Sequence, residues 1–63
     1  MTYADGIKLL RKKMLISQEE LAERLGVSFA SVNRWENGRY EPTIKVKRKL
    51  RMYLETYDIK VED

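Results

Sequence analysis

Ser17-Gln-Glu-Glu-Leu-Ala-Glu-Arg-Leu-Gly26-Val-Ser28-Phe-Ala-Ser-Val-Asn-Arg-Trp-Glu-Asn37-Gly38 is the stretch that decides the fold of this chain. It reads as two short helices joined by a tight turn. Ser17 can cap the first, and Glu20, three residues on, completes a capping box. Leu21, Ala22 and Leu25 fall at helical spacing and make one apolar face. Gly26 supplies the left-handed position that ends the helix, and Ser28 can cap the next one. That second helix, over 29–36, holds few inward residues, chiefly Val32 with Trp35 and Glu36. Its other face carries Phe29, Ala30, Ser31, Asn33 and Arg34. Asn37-Gly38 ends it, both residue types tolerating the left-handed conformation.

Outside this stretch the pattern stays helical. A helix is expected from about Tyr3 to Lys13, capped by Thr2, with Ile7, Leu10 and Met14 on its inner stripe. Gly6 within it costs about 1 kcal/mol relative to Ala unless something approaches closely there. Trp35 reads as packing rather than as a wedge between bases. Arg39-Tyr40-Glu41 is a loop, Pro42 prevents any helix from running through, and Thr43 can cap a fourth helix from about Ile44 to Thr56. Residues 1–57 form one small domain. Residues 58–63, where Ile59 and Val61 alternate with charges, are left as an acidic tail, a rudimentary fifth helix or an edge strand. The fold class is all-α, a bundle of four helices or, if 58–63 supplies one, five.

Composition narrows the function. A chain of 63 residues buries only about 60% of its unfolded surface and has no room for a separate catalytic domain. It contains no His and no Cys, which removes disulfides, thiolate and imidazole metal sites and His-based acid–base chemistry. No metal or other cofactor is expected, and the chain does not read as an enzyme. The lack of Cys fits a cytoplasmic location. No apolar run approaches the ~20 residues of a membrane span, and no leader pattern opens the chain. The formal net charge of +3 hides an asymmetry. Every basic residue except Lys60 lies within 1–51, concentrated in 8–13 and 39–51, whereas 52–63 sets Lys60 against Glu55, Asp58, Glu62 and Asp63. Phosphate is the partner that suits such basic clusters; a solvated helix face is the plainer alternative.

Two helices with a Gly-containing turn, the second exposing a polar face, describe a helix-turn-helix. Ile7, Leu10, Arg11, Ser17-Gln18-Glu19-Glu20-Leu21-Ala22, Leu25-Gly26-Val27-Ser28, Val32, Glu36-Asn37-Gly38 and Pro42 together resemble the phage-repressor/Cro (Xre-type) helix-turn-helix family, over roughly residues 7–54. The resemblance implies a lambda-repressor-like fold with the helix at 29–36 lying in the DNA major groove. The residue chemistry agrees. Asn33 can bond adenine N6 and N7 together, and Arg34 can donate twice to guanine O6 and N7, each pair giving about 1–3 kcal/mol of discrimination. Phe29 and Ala30 suit a thymine methyl, and Ser31 can meet a base or a phosphate. Alternatives remain: Asn33 as a merely exposed polar residue, Arg34 as a phosphate contact or surface ion pair, Phe29 as a protein contact.

The resemblance also implies phosphate contacts from Gln18, at a helix N-terminus, and from Asn37, whose other reading is a plain C-cap. Arg39, Tyr40, Lys45, Lys47 and Arg48 are further candidates. It implies a mostly buried ion pair between Arg11 and Glu36. The chain departs from the family at Leu15, where a small turn-former is usual, and in the apolar stripe of the fourth helix. The function read from all this is a sequence-specific, double-stranded-DNA-binding transcriptional regulator, a repressor by resemblance, acting as a homodimer on a palindromic site. The alternative is an antitoxin-type or adaptor module that holds a protein partner through exposed Leu15, Phe29, Met52 and Tyr57.

Overall fold

Each helix begins at a hydroxyl. In the computed structural model, which describes residues 1–62, α1 spans Tyr3–Met14, α2 Gln18–Leu25, α3 Phe29–Glu36 and α4 Ile44–Thr56. The N-caps are Thr2, Ser17, Ser28 and Thr43, and each accepts the backbone N–H three residues on, at 3.2, 3.1, 3.2 and 3.4 Å. Ser17 and Glu20 close the capping box, with Ser17 N–H donating to Glu20 Oε1 at 3.1 Å. These bonds satisfy donors that the first helical turn leaves without partners.

Three helices end in the same left-handed turn. Gly26 (φ 70°) ends α2, and Val27 N–H reaches back to Ala22 O at 3.0 Å. Leu15 (φ 58°) ends α1 with Ile16 N–H on Arg11 O at 3.1 Å, and Asp58 (φ 55°) follows α4 with Ile59 N–H on Leu54 O at 2.8 Å. This is the Schellman arrangement. Leu15 therefore keeps the turn in which a small residue was expected, at a cost of about 1–2 kcal/mol for its Cβ, and its side chain stands 89% exposed. The end of α3 corrects one expectation. Asn37 stays right-handed (φ −78°), and Gly38 alone (φ 78°) makes the reversal.

The core joins Ile7 and Leu10 of α1, Leu21, Ala22 and Leu25 of α2, Val32 and Trp35 of α3, and Val46, Leu50 and Leu54 of α4. α3 packs against both α2 and α1, and α4 closes the open side of α1 and α2. Met14 is only half-buried, and Ile44 and Met52 of α4 remain exposed. Among the described residues no helix is long and apolar enough to cross a membrane.

Residues 58–62 form neither a fifth helix nor a paired strand; Asp63 lies outside the described residues. The Asp58 turn folds Ile59 into the core. The chain then runs back over α1, where Glu62 N–H donates to Met1 O at 2.9 Å. Val61 lies over Gly6, and a Cβ added to Gly6 would collide with Val61 Cγ2. Something does approach Gly6 closely: it is a notch for this strap.

A buried carboxylate locks α3. Glu36, 5% exposed, accepts from Arg11 Nε at 2.5 Å through Oε2 and from Arg11 Nη2 at 2.8 Å through Oε1. Gln18 Nε2 adds a third bond to Oε1 at 3.1 Å. The hydrogen bonds to Glu36 hold the Arg11 guanidinium above its ordinary pKa, against the opposing effect of burial. Three helices thus meet at one charge.

Two stability measurements follow. Arg11→Met leaves a buried carboxylate with a single side-chain donor and is expected to cost about 3–5 kcal/mol. That is much of the ~3–9 kcal/mol typical for a domain of this length, and urea unfolding would report it; a loss below about 1 kcal/mol would show that the pair does not organise the fold. Gly6→Ala is expected to destabilise the wild type by overpacking against Val61. In a Val61→Ala background the same change should stabilise by up to about 1 kcal/mol, the ordinary helix preference for Ala. Equal effects in both backgrounds would refute the strap contact.

Candidate nucleic-acid interface

One turn of α3 repeats every 3.6 residues, so Val32, Trp35 and Glu36 face inward and are buried. Ala30, Asn33, Arg34 and Asn37 consequently share the outward face, Phe29 lies at its edge on the α2 side, and all five are exposed. Phe29 is 49% exposed. Its ring borders a shallow groove along α2 shared with Glu19, Glu20 and Glu23. Trp35, 7% exposed, is a packing residue. Ser31 stands apart from the set. It is half-buried, and its hydroxyl lies 3.0 Å from the Ser28 hydroxyl, against the N-cap of its own helix.

The residues around this face differ in what they are free to do. Gln18, the first residue of α2, is half-buried and directs its amide N–H at Glu36. Only the rest of its amide and the helix N-terminus remain for an outside anion. Asn37 is the C-cap of α3, its N–H bonded to Asn33 O at 3.1 Å, and its side chain is exposed. Arg39 and Tyr40 are exposed in the loop, and Lys45 and Arg48 are exposed on α4. Arg34 extends toward the loop, its guanidinium carbon 6.0 Å from the centre of the Tyr40 ring. Lys47 is half-buried, 3.0 Å from Glu41 Oε1 and 4.7 Å from the centre of the Tyr3 ring.

Two lysines of the basic clusters cap helix C-termini from a distance. Lys13 Nζ donates to Tyr57 O at 2.9 Å, after α4, and Lys49 Nζ to Leu25 O at 3.1 Å, at the end of α2. Cations suit these sites because the carbonyls there lack partners and the helix dipole is negative. Nothing in the sequence distinguishes these two from neighbouring lysines: their partners lie 44 and 24 residues away. The positive charge open to an external anion is correspondingly narrower than the sequence clusters.

The geometry offers an exposed helix face of amide and guanidinium groups, with an apolar ring and three glutamates on its α2 flank and exposed Arg39 in the loop that follows it. Comparison with known proteins identifies the family. A sequence model of the helix-turn-helix family matches residues 7–59. Proteins described as uncharacterized HTH-type transcriptional regulators are similar over most of the chain. One from Archaeoglobus fulgidus is 37% identical over 57 residues, covering 90% of this chain and 76% of the relative. One from Methanocaldococcus jannaschii is 33% identical over 57 residues, covering 90% of this chain and 82% of the relative. A third, from Methanothermobacter thermautotrophicus, is 47% identical over a shorter 34 residues, 54% of this chain and 49% of the relative. No solved structure matches the chain at the same stringency. With α2, the Gly26 turn and α3 in place inside the matched span, the chain belongs to the Xre-type helix-turn-helix family.

Proposed function

We propose that the protein is a sequence-specific regulator of transcription, a repressor, that reads double-stranded DNA by laying α3 in the major groove. The observation that carries this is the face formed by Ala30, Asn33 and Arg34, with Phe29 exposed at its edge, on a helix whose opposite side is pinned by Val32, Trp35 and Glu36. An Asn amide matches the donor–acceptor pair of adenine, an Arg fork the two acceptors of guanine, and Phe and Ala the thymine methyl. Such groups need a helix of fixed pose, which the buried side provides. Ser31, turned to its cap, is left with at most a secondary contact.

Phosphate contacts would position this helix. Asn37, Arg39, Lys45 and Arg48 are the exposed candidates, with Gln18 assisting at the N-terminus of α2. Lys47 is already paired with Glu41 and contributes less. Glu19, Glu20 and Glu23 beside Phe29 would repel phosphate and so bound the footprint on that flank.

Size argues for two copies. The domain measures 25 Å along its longest axis, and successive major-groove faces lie about 34 Å apart. One copy reaches one half-site, and the proposed active species is a homodimer on a palindrome.

In vitro selection from a random duplex pool would supply the site. Affinity for the selected duplex should then fall steeply between about 50 and 200 mM salt. Asn33→Ala should weaken the selected duplex about 5- to 150-fold while changing a scrambled duplex little. Arg48→Ala should weaken both alike. A flat salt response would overturn the DNA reading in favour of a protein-docking module, and equal behaviour of the two variants would overturn the division into base and phosphate roles.

A further inference from the structure

Tyr40 is the residue beside the recognition face whose role the helix-turn-helix reading does not settle. Gly38, with its φ of 78°, reverses the chain after α3, so that residue 40 comes back alongside the helix it has just left. The loop is held on its far side by two contacts. Glu41 pairs with Lys47 at 3.0 Å, and Pro42 is buried. Tyr40 is thus an exposed residue (63%) in a loop tied down just after it by Glu41 and Pro42. The Arg34 guanidinium carbon lies over its ring, 6.0 Å from the centre, at the outer reach of a cation–π contact, and Tyr40 also borders a small cavity with Tyr3 and Trp35.

An exposed arginine has many rotamers, and docking both arms of its fork on a guanine requires one of them. A guanidinium attracted to an aromatic face keeps its N–H groups available to donate. We propose that Tyr40 is a positioning residue: its ring, not its hydroxyl, sets the direction of the Arg34 guanidinium and so sharpens discrimination at the base pair Arg34 reads. This rests on the reading of α3 as the recognition helix. It replaces a phosphate contact by the Tyr40 hydroxyl, which would add affinity without sequence information.

Full-length protein and two duplexes test it, one selected from a random pool by the wild type and one scrambled at the same length. Tyr40→Ala should lower the selected-to-scrambled affinity ratio two- to fivefold, the size of an exposed cation–π contact, and Tyr40→Phe should restore most of it. In an Arg34→Ala background Tyr40→Ala should change the ratio no further, because interacting residues are not additive. Independently of DNA, the Arg34 Hδ and Hε protons of the free protein should show a ring-current shift that Tyr40→Ala abolishes and Tyr40→Phe keeps. Absence of that shift overturns the proposal. So does a uniform loss on both duplexes that Tyr40→Phe shares with Tyr40→Ala, which would mark a hydroxyl–phosphate contact. If Arg34→Ala relaxes discrimination and Tyr40→Ala does not, this proposal fails alone; if the wild type discriminates nothing, it falls together with the recognition reading.

Discussion

Glu36 is the constraint on which the rest of the molecule depends. Removing a carboxylate from water costs several kcal/mol unless partners replace the lost hydration. Here the partners come from two other helices, Arg11 of α1 and Gln18 of α2, and all three donors converge on the last residue of α3. Val32 and Trp35 hold α3 by apolar burial, which is non-directional and would tolerate some rotation or sliding. A forked guanidinium on a carboxylate does not. The ion pair therefore turns a packed helix into one with a defined rotation. The same rotation that puts Glu36 inside puts Asn33 and Arg34 outside.

The second organising effect is how positive charge is distributed among tasks. The chain is basic, but its cations are not interchangeable. Arg11 is internal. Lys13 and Lys49 finish the C-termini of α4 and α2, and Lys47 answers Glu41. What stays exposed on α3 and in the chain that follows it is a smaller group: Arg34, Arg39, Lys45 and Arg48. A small domain has little apolar surface to bury. Capping carbonyls with lysine adds tertiary links where the core cannot, and these same links narrow the region an anion can approach.

The closing strap shows a related economy. α4 ends in a left-handed turn at Asp58, a residue type that tolerates that conformation, and this turn delivers Ile59 to the core and Val61 to the Gly6 notch. A glycine that weakens α1 as an isolated helix is what lets the end of the described chain pack on its beginning.

Local chemistry was legible in the chain alone. Thr2, Ser17, Ser28 and Thr43 mark helix starts because a cap acts within three residues, and Gly26 marks an end for the same reason. The apolar stripes, the face of α3 and its candidate reading residues follow from the 3.6-residue period. The Arg11–Glu36 pair was legible only through the family resemblance, since 25 residues separate the partners. Tertiary structure decided the rest. That Gln18 turns inward to Glu36, that Lys13, Lys47 and Lys49 are engaged while Lys45 and Arg48 are open, that Ser31 faces its cap, and that 58–62 is a strap all depend on which groups the fold brings within about 3 Å. Hydrogen bonds and ion pairs act at that range regardless of sequence separation, whereas periodicity reports only what lies within a turn or two of helix.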